Sequence, residues 1–232
     1  MRMKDKLIVG LDVENVNQAQ TLVSKLGDEV NFYKIGYQLA FAGGLDFARE
    51  LIADGKKIFL DMKLLDIGNT ITHAVENIAK MGVDMLTIHA YPEAMRAAVT
   101  AAKNSNICLL GVTVLTSMDD QDLANAGYGE GVTTLVVRRA LQAKDIGMGG
   151  IVTSALEVQH IRHLIGQNMV IVTPGVRLEN SDKDDQKRVL TPRKAVESGA
   201  NYIVMARPII KAEDPIEVVK LVKKDMQLAK SE

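Results

Sequence analysis

Charged residues interrupt an apolar run in the segment FLDMKLLDIGNT, residues 59–70. Two residues typical of a buried strand begin the segment, and Asp61, Lys63 and Asp66 follow them within six positions. An unpaired charge in a buried place is costly, and pairing offsets the cost only when the geometry is good. The segment therefore predicts either a solvated turn or a cluster of ion pairs that serves a function.

The neighbouring strands favour the cluster. Asp61 and Lys63 are two residues apart on a predicted strand, so we expect their side chains to point the same way, about 6.6 Å apart along the chain. Lys34 and Asp12 occupy corresponding places on two other predicted strands. A lysine between carboxylates stays protonated because opposite charges raise its pKa, and it can then protonate a carbanion. A carboxylate fixed beside a substrate carboxylate favours loss of CO₂, so these residues fit a decarboxylation that needs no cofactor.

The elements that must position these residues repeat along the chain. Apolar runs typical of strands cover 7–12, 32–36, 57–63, 85–90, 107–115, 150–154, 170–175 and 202–206. Helical spacing occurs between them, for example over 19–27, 71–82, 133–147 and 192–200. Several of these stretches end in glycine, at 27, 55, 82, 147 and 199, as expected where a helix gives way to a loop. The strands are apolar on both faces, which predicts a parallel sheet covered by helices.

Polar residues near the ends of most predicted strands distinguish between two α/β architectures. In an open sheet only the strand ends near a switch point can share a ligand, whereas in a barrel all eight surround one mouth. The polar residues are Asp12, Lys34, Asp61, Lys63, His89, Thr116, Arg177 and Arg207. This distribution predicts an α/β protein with a (β/α)8 TIM barrel, a single domain over residues 1–232, and an active site at the carboxyl ends of the strands.

Composition excludes several classes of partner. The 28 Lys and Arg residues balance 29 Asp and Glu residues, so no nucleic-acid or membrane partner is indicated. The start of the chain, MRMKDKLIVGLD, has too short an apolar stretch for a secretion signal, and we expect a cytoplasmic protein. Cys108 lies in an apolar run and is predicted to be a small buried hydrophobe. His160 and His163 have a spacing that can bind metal, but no third ligand is apparent and we expect no metal site.

The chain resembles a known family, the bacterial orotidine 5′-monophosphate decarboxylases. Besides 59–70, the matching segments are VGLD (9–12), YKIG (33–36), TIHA (87–90), VTVLTSM (112–118), VTPGVR (172–177), DQKR (185–188) and ARP (206–208). They occur in the family's order. The DxKxxD pattern alone is shared with sugar-phosphate decarboxylases and synthases of related barrels. Lys34 distinguishes this chain from them, because those relatives carry an acidic residue there that helps to hold Mg²⁺.

The resemblance implies an enzyme, a cofactor-free lyase that converts orotidine 5′-monophosphate to uridine 5′-monophosphate (UMP) and CO₂ in pyrimidine biosynthesis. It implies that Lys63 protonates C6 of the pyrimidine and that Asp61 lies against the departing carboxylate. Lys34 would bridge the charged residues and touch the ribose. Asp66 would complete the catalytic set from the second subunit of a homodimer.

The resemblance also implies the residues that bind the nucleoside monophosphate. They are Asp12, Lys34, Asp61, Ile67, Thr70, Thr116, Arg177, Gln186, Ala206 and Arg207. Thr70 would come from the second subunit, and Arg177 with the loop 178–190 would close over the ligand. Two positions depart from the family pattern: Gly68 stands where the family commonly has Pro, and Ala206 where it commonly has Gly.

Two alternatives remain open from the sequence. One is a Mg²⁺-dependent sugar-phosphate decarboxylase or synthase of the same barrel type, against which Lys34 argues. The other is a barrel that binds a phosphate ligand without turnover, against which the complete set of Lys34, Asp61, Lys63 and Asp66 argues.

Overall fold

The chain folds into a closed barrel of eight parallel strands. The computed structural model describes residues 6–179 and 190–229. Each strand pairs with the next along the chain, and β8 closes the barrel against β1. The predicted α/β class and (β/α)8 barrel are confirmed.

All eight predicted strands are present, and helices alternate with them. The strands are β1 (Leu7–Gly10), β2 (Phe32–Gly36), β3 (Lys57–Leu64), β4 (Met85–His89), β5 (Cys108–Val112), β6 (Gly150–Val152), β7 (Val170–Thr173) and β8 (Tyr202–Met205). The helices are α1 (Val16–Leu26), α2 (Tyr37–Leu39), α3 (Leu45–Ala53), α4 (Gly68–Lys80), α5 (Pro92–Ala101), α6 (Asp120–Asn125), α7 (Val132–Ile146), α8 (Val158–Ile165), α9 (Pro192–Glu197), α10 (Arg207–Ile210) and α11 (Pro215–Leu228). The five glycines predicted to end helices all have positive φ.

Apolar side chains fill the inside of the barrel below its mouth. Seven strands contribute one buried residue each to this inner layer: Ile8, Phe32, Phe59, Met85, Leu110, Val172 and Val204. A larger apolar cluster packs between the strands and the surrounding helices. Because side chains alternate along a strand, residues two positions beyond the inner layer point into the mouth. This alternation brings Lys34, Asp61 and Thr87 to the same end of the barrel.

Strand β3 departs from regular geometry where the charges lie. Leu60 pairs with Leu86 and Leu64 with Ile88, so four steps along β3 match two steps along β4. Lys63 has a φ of 43°, and it is the one non-glycine residue with positive φ in the described chain. The expectation of a regular strand from Asp61 to Lys63 is therefore wrong, because a bulge of this kind breaks the two-residue alternation.

None of the helices in the described part of the chain combines the length and the apolar character needed to cross a bilayer.

Candidate active site

Four charged side chains form a continuous chain of ion pairs at the mouth of the barrel. Lys34 Nζ lies 2.9 Å from Asp12 Oδ1 and 3.8 Å from Asp61 Oδ2. Lys63 Nζ lies 2.8 Å from the same Asp61 oxygen. Charges therefore alternate in the order Asp12, Lys34, Asp61, Lys63. We call these four residues the charged array. The solvated-turn alternative fails for Asp61, because its side chain is only 15% exposed and that of its partner Lys34 only 10%.

Two glycines leave room for the Lys34 ammonium. A Cβ placed on Gly36 would lie 3.2 Å from Lys34 Nζ. A Cβ on Gly10 would lie 3.2 Å from Lys34 Cε and 2.9 Å from Ala206 Cβ. Larger residues at these positions would push the lysine away from its carboxylates. Both glycines lie in segments that match the family, VGLD and YKIG, but their residue type alone did not predict this role.

The charged array keeps its buried members ionised. Burial disfavours the Lys34 ammonium, but Asp12 and Asp61 outweigh this effect and raise the pKa of Lys34 above its ordinary value. Burial likewise opposes ionisation of Asp61, but Lys34, Lys63 and a hydrogen bond from Thr87 lower the pKa of Asp61 below its ordinary value. At neutral pH the site therefore holds the Asp61 carboxylate beside the Lys34 ammonium.

A cavity of about 330 Å³ opens above the charged array, within the size range of small-molecule sites. The array lines one side of it. Apolar residues of the inner layer, including Phe59, form its base. The remaining walls come from the segments after β5, β7 and β8. Counted over its described lining, the cavity has four cations and two carboxylates, an excess of two positive charges that suits an anionic ligand.

The structure gathers most of the predicted site residues around this cavity. Thr116, Arg177, Ala206 and Arg207 all line it, with the four residues of the charged array. Arg177 is buried, and its guanidinium donates to the carbonyl oxygen of Val176. Gln186 and most of the predicted closing loop lie outside the described residues.

Three predicted site residues do not line the cavity of their own chain. Asp66, Ile67 and Thr70 are all exposed. Asp66 Oδ1 accepts a hydrogen bond from the Ile67 N–H at 2.6 Å, which fixes the carboxylate locally. Ile67 is 72% exposed, a high value for a large apolar side chain.

Further large apolar side chains are exposed on the segments after β2 and β3. Tyr37 and Phe41 stack with their ring centroids 5.8 Å apart, and Phe41 is 86% exposed. The Tyr37 hydroxyl donates to the Met62 carbonyl oxygen at 2.5 Å, which ties this pair to the end of β3. Leu65 and Ile67 are exposed immediately after that strand. We call Tyr37, Phe41, Leu65 and Ile67 the apolar patch.

The two departures from the family pattern have defined local structures. Gly68 is the first residue of α4, and Ile67 caps that helix in an extended conformation. Ala206 has a φ of −123°, so its backbone does not require glycine. Its methyl group instead occupies space beside Gly10.

Two polar residues in or near the cavity, Ser117 and Thr87, were not among the predicted site residues. Ser117 lines the cavity next to Thr116. Thr87 contacts both Asp61 and Lys63 through its hydroxyl. The available signal for Thr87 was that it is a polar residue at an inward-facing position of the apolar strand MLTIH. Among residues 6–179 and 190–229, no three His, Cys, Asp or Glu side chains are grouped closely enough to hold a metal ion.

Fold and site together define a (β/α)8-barrel protein with a charged small-molecule site at the carboxyl ends of its strands. The model of the orotidine 5′-phosphate decarboxylase / HUMPS family matches residues 5–222, and the chain belongs to this family. The chain is also similar to the crystal structure of orotidine 5′-phosphate decarboxylase from Lactobacillus acidophilus, with 35% identity and a TM-score of 0.84. That match covers 96% of this chain and 99% of the other.

A second solved structure is similar over the same extent. It is an uncharacterized conserved protein from Geobacillus kaustophilus, 27% identical, with a TM-score of 0.82. The match covers 95% of this chain and 99% of that protein. The barrel and its length are therefore shared with proteins of quite different sequence.

Proposed function

We propose that the protein decarboxylates orotidine 5′-monophosphate to UMP and CO₂, a step of pyrimidine biosynthesis, without a cofactor. The observation that carries the proposal is the charged array, in which Asp61 lies between two lysines on one side of an anion-accepting cavity. Family membership and the similarity to the Lactobacillus acidophilus enzyme support the same reaction.

The chemistry asks for a proton donor beside a fixed carboxylate. The bond between C6 and the carboxyl carbon breaks, and its electron pair stays on C6 as CO₂ leaves. Lys63 then transfers a proton from its ammonium to C6, which gives UMP and a neutral amine that solvent reprotonates. Lys63 Nζ is held 2.8 Å from Asp61, so the donor is positioned before the carbanion forms. Such preorganised charge is commonly the largest single contribution to catalysis.

Binding energy from the rest of the substrate helps to organise the reacting end. Enzymes reach accelerations of about 10¹⁷-fold, on the order of 23 kcal/mol, which no single hydrogen bond supplies. Asp12 and Lys34 would bind the ribose, and Thr116 the pyrimidine. Arg207, with Gln186, would bind the phosphate, and Arg177 would close over the ligand. Interactions remote from C6 can supply the energy that holds the substrate carboxylate against Asp61.

We further propose that the active form is a homodimer whose sites are completed across the interface. Asp66, Ile67 and Thr70 are exposed and do not line their own cavity, as expected of residues that act in the partner's site. The adjacent apolar patch is the kind of exposed apolar surface that marks a protein interface. Ile67 belongs to both groups, so association would bury the patch and deliver these residues together.

Decarboxylation is tested by following the ultraviolet absorbance of orotidine 5′-monophosphate with EDTA present. We expect the native chain to turn over, and Lys63→Ala to lose at least about 10²-fold in kcat, the lower limit for a proton-transfer group. An inactive native chain, or a Lys63→Ala variant nearly as fast as native, would refute the assignment. Loss of activity in EDTA would favour a metal-dependent reaction instead.

The shared site is tested by mixing two variants. Lys63→Ala and Asp66→Ala are each expected to be inactive as homodimers. After subunit exchange in an equal mixture, half of the dimers are mixed and each has one intact site, so about a quarter of native activity should return. Continued inactivity of the mixture, with exchange verified by mass spectrometry, would place Asp66 in the site of its own chain.

A Mg²⁺-dependent sugar-phosphate reaction is the second candidate, supported by the family's breadth. Against it, the Lys34 ammonium lies 2.9 Å from Asp12 and 3.8 Å from Asp61. It thus neutralises the carboxylates that would otherwise attract a divalent cation.

A further inference from the structure

One buried hydroxyl, that of Thr87, connects Asp61 and Lys63, the last two residues of the charged array. Thr87 is fully buried on β4, two positions beyond Met85 of the inner layer. Its Oγ1 accepts a hydrogen bond from the Lys63 N–H at 2.8 Å and donates one to Asp61 Oδ1 at 2.9 Å. A hydroxyl carries one donor and two acceptor sites, so both bonds form at once.

Both hydrogen bonds of the Thr87 hydroxyl are made to the irregular part of β3. The backbone of Lys63 is in the left-handed region, with a φ of 43°, which costs free energy for a residue with a side chain. Such a conformation persists only when the surroundings hold it. The Lys63 N–H is also at the register shift between Leu60 and Leu64, and the Thr87 side chain satisfies it.

We propose that Thr87 is the positioning residue of the reaction: its hydroxyl holds the left-handed backbone of Lys63 and the rotation of the Asp61 carboxylate in one arrangement. The proposal rests on the decarboxylase function proposed above for this site. Thr87 acts through these two residues, because it does not itself line the cavity.

The hydroxyl sets the position of the Lys63 ammonium from both ends. It fixes the Asp61 carboxylate through Oδ1, and the other oxygen of that carboxylate, Oδ2, contacts Lys63 Nζ at 2.8 Å. It also fixes the Cα from which the lysine side chain starts. Removing the hydroxyl releases both the Lys63 backbone and the Asp61 carboxylate that pairs with the Lys63 ammonium. Asp12 and the arginines of the cavity keep their positions.

The test compares Thr87→Val, Thr87→Ser and Thr87→Cys with native protein. Valine keeps the shape and removes both hydrogen bonds, serine keeps them, and a thiol makes them only weakly. Since a misplacement of about 1 Å can cost 10²-fold in rate, we expect Thr87→Val to lose on the order of 10²-fold in kcat. Affinity for UMP, measured by calorimetry, should stay within about threefold, because binding groups away from C6 are unchanged. Serine should retain most of kcat, and cysteine should fall between serine and valine.

Thr173→Val is the matched control. Thr173 is a fully buried threonine on β7 whose hydroxyl has no hydrogen-bond partner in the described part of the chain. The substitution removes the same hydroxyl from a similar environment, and kcat should stay near the native value. A general effect of deleting a buried hydroxyl would lower kcat in both variants and would overturn the proposal.

Crystal structures of the variants test the positioning role of Thr87 independently of the proposed decarboxylase function. In Thr87→Val we expect φ of residue 63 to leave the left-handed region and the Lys63–Asp61 contact to lengthen. An unchanged φ and contact would overturn the positioning role, whatever reaction the protein performs. If Thr87→Val does not fold, Thr87→Cys decides: kcat equal to that of Thr87→Ser overturns the proposal, and a fall below it with unchanged UMP affinity supports it. Native protein that leaves orotidine 5′-monophosphate unchanged would count against the proposed function alone.

Discussion

Replacing Lys34 with methionine should destabilise the fold by an amount set by the charged array. The residue is 8% exposed, and its ammonium lies between Asp12 and Asp61. Methionine keeps much of the length and leaves two carboxylates without their shared cation. Removing one partner of a buried ion pair costs about 3–5 kcal/mol, and we expect the lower end here because Lys63 still pairs with Asp61. At 2–4 °C per kcal/mol for a domain of this size, about 3 kcal/mol corresponds to a fall in Tm of about 6–12 °C.

Equilibrium urea unfolding measures the loss directly, and a second substitution tests its cause. In the Lys34→Met background, Asp61→Asn removes a buried negative charge that has lost one of its cations. We expect this double variant to recover about 1–2 kcal/mol relative to Lys34→Met, since contacting residues are not additive. Lys103→Met is the control: the residue is exposed, and the change should stay within about 0.5 kcal/mol.

Two results would refute this reasoning. A loss below about 1 kcal/mol for Lys34→Met would mean that solvent replaces the ammonium without difficulty, contrary to a buried pair. A further loss on adding Asp61→Asn would mean that the Asp61 carboxylate is stabilised without Lys34.

The other predictions concern single groups. Because its cations lower the pKa of Asp61, the stability this carboxylate contributes is present above its ordinary pKa of 3.8 and is lost as pH falls through the lower folded value. Asp61→Asn should therefore flatten the decline of the urea midpoint at acid pH, and a parallel decline would contradict this. Burial raises the pKa of Cys108 to about 11, from 9.0, so its thiol should react with Ellman's reagent about 10²-fold more slowly at pH 8 than free cysteine; an equal rate would refute the effect of burial. Ala206→Gly should bind UMP more tightly by calorimetry, because Ala206 lines the cavity and loss of its methyl group lets the phosphate approach the backbone more closely; equal or weaker binding would show that the methyl group is harmless.

The barrel could be predicted because its strands obey local rules. Each is apolar on both faces, since the inner layer packs on one side and helices on the other. The polar residues that end them mark the carboxyl edge, which is common to all strands of a barrel. Helix ends could be predicted for the same reason. Gly147 ends α7 in the left-handed conformation that glycine allows.

The bulge in β3 could not be predicted, because it depends on a neighbouring strand. Alternation from Phe59 onward predicts a regular strand through Lys63, and nothing in the segment itself signals positive φ. The register shift is accompanied by a bond from the Lys63 N–H to the hydroxyl of Thr87, which is 24 residues away in sequence. Threonine is common in strands because its β-branched side chain packs well there, so residue type alone did not mark Thr87 as a functional residue.

Charge is distributed unequally within the cavity, and this suits the proposed substrate. Asp12, Lys34, Asp61 and Lys63 sum to zero, so the reacting end is electrically balanced before the substrate arrives. The two remaining cations of the described lining, Arg177 and Arg207, follow β7 and β8 and account for the excess of positive charge. A phosphate dianion would be neutralised by this excess, whereas the substrate carboxylate would meet the Asp61 carboxylate. The same electrostatics that binds one end of the molecule would thus favour the loss of CO₂ at the other.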